Sequence, residues 1–267
     1  MTEPSSKFAG SSLRAAARVL LLVLMLMMLF PIVLLLYLMR LERQRAHMVR
    51  IFYTAARRLS GVRLTIEGQV SALRPLMLVA NHSSYLDIFV LGSLLPLSFT
   101  PKIEIRSWPL VGFMCVLGDC VFIERRPTDM QRAQGEMEAR LRANKVLALF
   151  PEGTTGDGYH VKPFKSGFLK LVEAHDLPVQ PVVVAYTHVG ETPLSAATRE
   201  QVAWIGEASF VVHFLRLLRF PYVQVTARLC DVQRRDDHDD RKALAKACEA
   251  TITQGLRELL ARNGVTG

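Results

Sequence analysis

The stretch Leu76-Met77-Leu78-Val79-Ala80-Asn81-His82-Ser83-Ser84-Tyr85-Leu86-Asp87 decides how this chain is read. Its first five residues are wholly apolar and read as a short strand covered on both faces. The pattern then breaks to polar side chains and returns to apolar ones, as at a strand-to-helix junction. If Ser83 or Ser84 caps that helix, Asp87 falls about one turn in. Its carboxylate then reaches back to His82, holds Nδ1–H and leaves Nε2 free as a base. An oriented imidazole of this kind is worth roughly 10²–10⁴-fold in rate. By itself a His-x4-Asp pair is a weak signal, because histidine at a helix start is often only a cap.

Working outward, five more apolar runs read as strands, at 63–67, 120–124, 146–150, 179–186 and 223–229. Stretches between them have helical character, at 85–95, at 129–143 with Thr128 as N-cap, and at 166–175. A last helix over 240–262 lines up Leu244, Cys248, Ile252, Leu256 and Leu259 on one stripe and ends before Gly264. The alternation predicts an α/β fold, a central mostly parallel sheet flanked by helices, in a single domain over 40–267. Chemistry in such folds gathers at strand ends, so a second pattern break matters: Phe150-Pro151-Glu152-Gly153-Thr154-Thr155-Gly156, directly after KVLAL. Its glycines and hydroxyls can expose backbone N–H groups to an anion, although the stretch alone reads more readily as a surface turn. Lys162, Lys165 and Ser166 open the next expected helix, where a phosphate is favoured.

Before the domain lies a tail (1–18) and then residues 19–39, a run of 21 without charge, about 32 Å long if helical. The run is too long for the core of a cleaved signal peptide and has no small-residue cleavage site after it, so it reads as a retained anchor. Its length favours a full crossing, while Pro31 divides it and leaves a helical hairpin dipping into one leaflet as the alternative. Net charge is +9, and between residues 40 and 74 eight arginines oppose only Glu42 and Glu67. This basic belt beside the anchor favours anionic lipid headgroups over nucleic acid and places the domain on the cytoplasmic side of the inner membrane. Cys115, Cys120, Cys230 and Cys248 have no metal-ligand spacing and read as free thiols.

Taken together, the motifs resemble those of the phospholipid and glycerol acyltransferase family, typified by the 1-acyl-glycerol-3-phosphate acyltransferases, from about residue 66 to 232. Asn81, His82 and Asp87 match its Asn-His-x4-Asp block, and Phe122-Ile123-Glu124-Arg125 its arginine-containing block, with Glu124 where Asp is common. Phe150-Pro151-Glu152-Gly153-Thr154 matches the third block, and Pro181 in an apolar strand the fourth. The resemblance implies transfer of a fatty acyl group from acyl-coenzyme A or acyl-acyl carrier protein to a lysolipid hydroxyl, with no cofactor or metal. His82 would be the base and Asp87 its orienter; Arg125, Glu152, Gly153 and Thr154, with Lys102 and Lys165, would bind the acceptor. Asn81, Pro151 and Pro181 complete the motifs structurally. The acceptor expected is 1-acyl-glycerol-3-phosphate. The stretch VAWIGEASFVVHFLRLLRF also resembles members that acylate lyso-ornithine lipid, which is the alternative.

Other chemistries lack their residues. The chain has no GxSxG, GxxxxGK[ST], GxGxxG or HExxH. Residues 236–240 look superficially like a metal cluster, but a solvated loop capping the last helix explains them. His160, His175, His188 and His213 read as packed or interfacial, and Trp108 and Trp204 as core or membrane-interface residues. A lipid-binding protein without activity is the non-enzymatic alternative, and the retained His82 and Asp87 argue against it.

Overall fold

The computed structural model describes residues 10–123, 127–206 and 208–265. The chain begins with a helical hairpin, α1 (Ser12–Leu38) and α2 (Glu42–Leu59), joined through Arg40 in the left-handed region at φ +57°. Helix α1 runs unbroken through Pro31, so the proline does not divide the apolar run. The residue is exposed, and the helix on either side of it is held by packing of Phe30 and Val33 against other elements.

Seven strands form one sheet: β1 (Val62–Glu67), β2 (Leu76–Ala80), β3 (Ser98–Phe99), β4 (Val146–Leu149), β5 (Val179–Val189), β6 (Thr192–Pro193) and β7 (Val223–Leu229). Their order is β1-β7-β5-β2-β4-β3, with β6 paired to β5. All pairings are parallel except those of β5 with β7 and β6. Helices α3 (Leu86–Leu94), α4 (Val111–Leu117), α5 (Pro127–Arg142), α6 (Lys170–His175), α7 (Phe210–Leu217) and α8 (Arg241–Arg262) flank it. The fold is the mostly parallel α/β sheet expected. Strands β2 and β4 are buried at every residue, the physical reason their sequences are continuously apolar.

Several elements differ from the sequence reading. The run 120–124 forms no strand among its described residues; it contributes a bridge from Ile123 to Lys102 and the Val121 N–H to the Phe99 carbonyl. It lies beyond β3, the two-residue edge of the sheet, which offers too little backbone for a ladder. Helix α5 starts at Pro127, so Thr128 lies within it rather than capping it; a proline's preset φ suits a first helical position. The helix expected at 166–175 is a 3-10 turn (Ser166–Leu169) followed by α6. Helices α2, α4 and α7 were not read from the sequence at all. Helix α8 is capped by Asp240, whose carboxylate accepts from the N–H groups of Lys242 and Ala243 at 2.8 Å each, and its apolar stripe lies in the core.

Two features of the sheet place the site. Strands β2 and β4 are parallel neighbours, with Val79 opposite Leu149, so the chain leaves them side by side at Asn81 and Phe150. Pro181 lies in β5 opposite Val79 and accepts from Cys230 N–H but has no N–H to return. The Gln180 side chain supplies that missing donor, reaching the Cys230 carbonyl at 3.0 Å and the Gln69 carbonyl at 2.9 Å.

Candidate active site

Asp87 has no solvent-accessible surface, and an isolated carboxylate there would be costly unless its oxygens were paired. Its Oδ2 accepts from the N–H groups of Ser83 at 2.8 Å and Ser84 at 3.0 Å and meets His82 Nδ1 at 2.8 Å. Its Oδ1 accepts from the Tyr186 hydroxyl at 2.7 Å. Neither serine is the N-cap of α3; that position is Tyr85, and it is the Asp87 carboxylate that satisfies the N–H groups of the turn. An ionised carboxylate can only accept, so Nδ1 is the donor and Nε2 carries the lone pair. Among the described residues no hydrogen bond occupies Nε2.

Three further contacts fix the imidazole. Its ring stacks on Phe150, centroids 4.0 Å apart and planes 16° from parallel. The His82 N–H donates to Glu152 Oε1 at 2.7 Å, and the His82 carbonyl accepts from Gly156 N–H at 2.7 Å. The first and third motif blocks thus meet through backbone and ring, with the side chain of His82 still 17 % exposed. Glu152 is itself buried and holds Lys162 N–H on Oε2 at 2.9 Å, so it organises the loop from within. Burial raises its pKa, and the hydrogen bonds from Lys162 and His82 oppose that rise. Burial, and then the Asp87 carboxylate, push the Tyr186 hydroxyl well above the usual phenol range, which keeps its proton on the donor side.

Asn81 secures the end of β2. Its side-chain amide donates to the Val184 carbonyl and accepts Val184 N–H, both at 2.8 Å, in place of backbone pairing. Pro151 accepts Lys165 N–H at 3.0 Å. Gly153 has φ +70°, and a Cβ built on it would stand 2.8 Å from Lys165 Nζ, so the ammonium lies directly over the glycine. Exposed Thr154 shares this turn, whereas it is Thr155 whose hydroxyl donates to the Trp204 carbonyl. Lys102 is exposed, its backbone joined to Ile123 by an isolated bridge. Arg125 and Glu124 lie outside the described residues.

Residues 61–185 match the family model described as Acyltransferase. A protein of Brucella abortus named lyso-ornithine lipid O-acyltransferase is 34% identical over 224 residues, covering 81% of this chain and 84% of that one. The chain belongs to the acyltransferase family. A 1-acyl-sn-glycerol-3-phosphate acyltransferase of Neisseria meningitidis is 29% identical over 66% of this chain and 67% of its own. The crystal structure of the 1-acyl-sn-glycerophosphate (LPA) acyltransferase PlsC from Thermotoga maritima shares the fold, with a TM-score of 0.65 at 21% identity, over 92% of this chain and 97% of that one. The chain is thus an acyltransferase of the lysophospholipid type, with the mostly parallel sheet of that fold.

Residues the sequence reading missed complete this acyltransferase site. Tyr186 was read only as the end of a strand, yet a tyrosine closing the buried run VVVAY needs a partner for its hydroxyl, and that was the available signal. The Trp204 backbone N–H donates to the Ser83 carbonyl at 2.8 Å, and Phe150 supplies the stacking face. His213, read as a packed histidine, is buried and its Nδ1 meets the Tyr85 hydroxyl at 2.8 Å. Through these contacts Trp204 and His213 clasp the loop that carries His82.

Proposed function

We propose that this chain transfers a fatty acyl group from a thioester to the free hydroxyl of lyso-ornithine lipid at a membrane surface. The His82–Asp87 pair with Nε2 unoccupied, in a chain of the acyltransferase family, carries the reaction. Thirty-four per cent identity across most of a protein named for lyso-ornithine lipid supports the acceptor. Acylation of 1-acyl-glycerol-3-phosphate is the second reading, favoured by the Neisseria relative and by Lys165 Nζ over the Gly153 backbone, an arrangement suited to a phosphate.

In this reading His82 Nε2 takes the proton of the acceptor hydroxyl as its oxygen attacks the thioester carbonyl. The tetrahedral intermediate collapses by breaking the carbon–sulfur bond, and the departing thiolate of coenzyme A or acyl carrier protein receives the proton from the imidazolium. Asp87 compensates the imidazolium charge while it exists, and no acyl-enzyme forms. Glu152 serves by holding the loop, since both its oxygens are already occupied by backbone N–H groups. Gly153, Thr154 and Lys165 face the acceptor in this scheme, together with Arg125 and Lys102.

Helix α1 is long and apolar enough to cross a membrane, and nearly all of its surface is uncovered. It is nevertheless tied to the domain at both ends. Arg14 reaches the Arg219 carbonyl, and Arg18 reaches those of Leu218, Phe220 and Pro221 at 2.7–3.1 Å. Towards its other end Val33 packs with Val49 and Leu117, and the Phe30 ring lies 5.5 Å from that of Phe113. An unbroken helix is not the hairpin divided at Pro31, but its ties to the domain near both ends favour α1 lying in one leaflet over a full crossing, with the site at the bilayer surface.

The test offers lyso-ornithine lipid and 1-acyl-glycerol-3-phosphate in parallel to membranes carrying the protein or its His82→Ala variant, with labelled thioester. Product from lyso-ornithine lipid that disappears in the variant supports the proposal. Product from 1-acyl-glycerol-3-phosphate alone keeps the mechanism and replaces the acceptor. Product that persists in the variant refutes the role of His82.

A further inference from the structure

Helix α7 has two apolar faces. The inner one, Phe210, His213, Phe214 and Leu217, packs on the loop of His82: the Tyr85 ring meets Phe210 and Phe214 edge-on at 4.9 and 5.7 Å. The outer one presents Val211, Val212 and Leu215, which are 60 %, 64 % and 42 % exposed. A soluble helix of eight residues would place polar groups there, and Arg216 and Arg219 instead stand at its C-terminal end, both exposed.

This outer face is continuous with two other apolar surfaces. At its start, half-buried Phe210 borders both faces and lies 6.0 Å from Trp108, which leads through exposed Leu110 and Val111 to Phe113 on α4. Phe113 in turn meets Phe30 of α1. At its end, the carbonyls of residues 218–221 are held by Arg14 and Arg18 of α1. The exposed apolar surfaces of α1, α4 and α7 are therefore neighbours: Phe30 and Phe113 join α1 to α4, Trp108 bridges α7 to the turn before α4, and residues 218–221 just after α7 are held by the α1 cations. Patches of that extent are uncommon on soluble proteins.

We infer that the outer face of α7 is a second membrane contact, inserted beside the active site into the same leaflet as α1. This rests on the reading of α1 given above. The occupant is lipid, because the face continues a surface assigned to lipid and its edge carries arginines suited to anionic headgroups. Since the inner face of α7 holds the loop of His82, the insertion sets the site against the bilayer and admits an acceptor directly from lipid.

The experiment places the full chain, as wild type and as Val212→Trp, in phosphatidylethanolamine–phosphatidylglycerol vesicles with or without lipids brominated in their acyl chains. The added tryptophan fluorescence is expected to be quenched by the brominated chains. A chain that sediments with vesicles but whose residue 212 is not quenched overturns the inference and leaves the anchoring of α1 standing; a chain that does not sediment overturns the reading of α1 and the inference with it. Val211→Glu/Val212→Glu is expected to lower turnover of lyso-ornithine lipid embedded in vesicles by about tenfold, a loss of ~1.4 kcal/mol of interfacial binding. Turnover of a short-chain, monomerically soluble analogue should stay within about twofold. Equal loss with both acceptors, or loss with neither, refutes the contact.

Discussion

Replacing Tyr186 with phenylalanine removes one hydroxyl and leaves its ring in β5. That hydroxyl is the partner of Asp87 Oδ1, at 2.7 Å, in a place with no access to water. A hydrogen bond to a charged group contributes about 1.5–3 kcal/mol, and an orphaned buried carboxylate oxygen loses it without compensation. For a domain of this size the melting temperature should fall by ~3–12 °C. The effect on rate is smaller than that of removing Asp87, because Oδ2 keeps His82, Ser83 and Ser84. A carboxylate free to rotate about its remaining contacts should lower kcat about tenfold, a barrier increase of ~1.4 kcal/mol, with KM nearly unchanged. The assay is steady-state acyl transfer by Tyr186→Phe, Asp87→Asn and the double variant, alongside thermal unfolding. Tyr186 is a positioning residue only if its substitution costs much less in the Asp87→Asn background. A kcat equal to wild type despite lowered stability, or the same tenfold loss in both backgrounds, would refute the reasoning.

Two further outcomes are expected. Gly153→Ala places a Cβ in the left-handed region and against Lys165 Nζ, costing about 1–2 kcal/mol in backbone strain and displacing the ammonium. Its KM for the acceptor should rise several-fold, with Lys165→Met showing the same rise; no change in either kinetic constant would remove Lys165 from the acceptor site. Burial lowers the His213 pKa from its ordinary 6.5, so the fold favours the neutral ring. The stability it contributes is complete above that value and is lost as pH falls through the depressed one. The difference in melting temperature between wild type and His213→Gln should therefore shrink on acidification, and a difference independent of pH would contradict it.

Strands 76–80 and 223–229 were legible to the residue because each is a buried run bounded by polar or turn-forming residues, and burial writes itself into composition. Helix α8 was legible for a similar reason, its stripe and its Asp240 cap both being local patterns. The run at 120–124 was misread because apolar composition reports burial but not whether a neighbouring strand offers a ladder. Helix α2 was hidden by its arginines, which drew attention to charge while Arg45, Val49 and Ala56 were the residues it buries.

Local patterns in the chain were enough for the α/β class, the apolar N-terminal segment, and the His82 and Asp87 spacing, since these depend on residues within a turn or a strand of one another. Packing across the chain is what lets Tyr186, 99 residues from Asp87, complete its hydrogen bonds, lets Glu152 hold the His82 backbone, and brings α7 beside Trp108 and α1 beside α4. Those contacts follow from the strand order β1-β7-β5-β2-β4-β3, which brings together chain segments far apart in sequence. No local pattern encodes that order, because it is fixed by how the buried faces of all the elements pack at once.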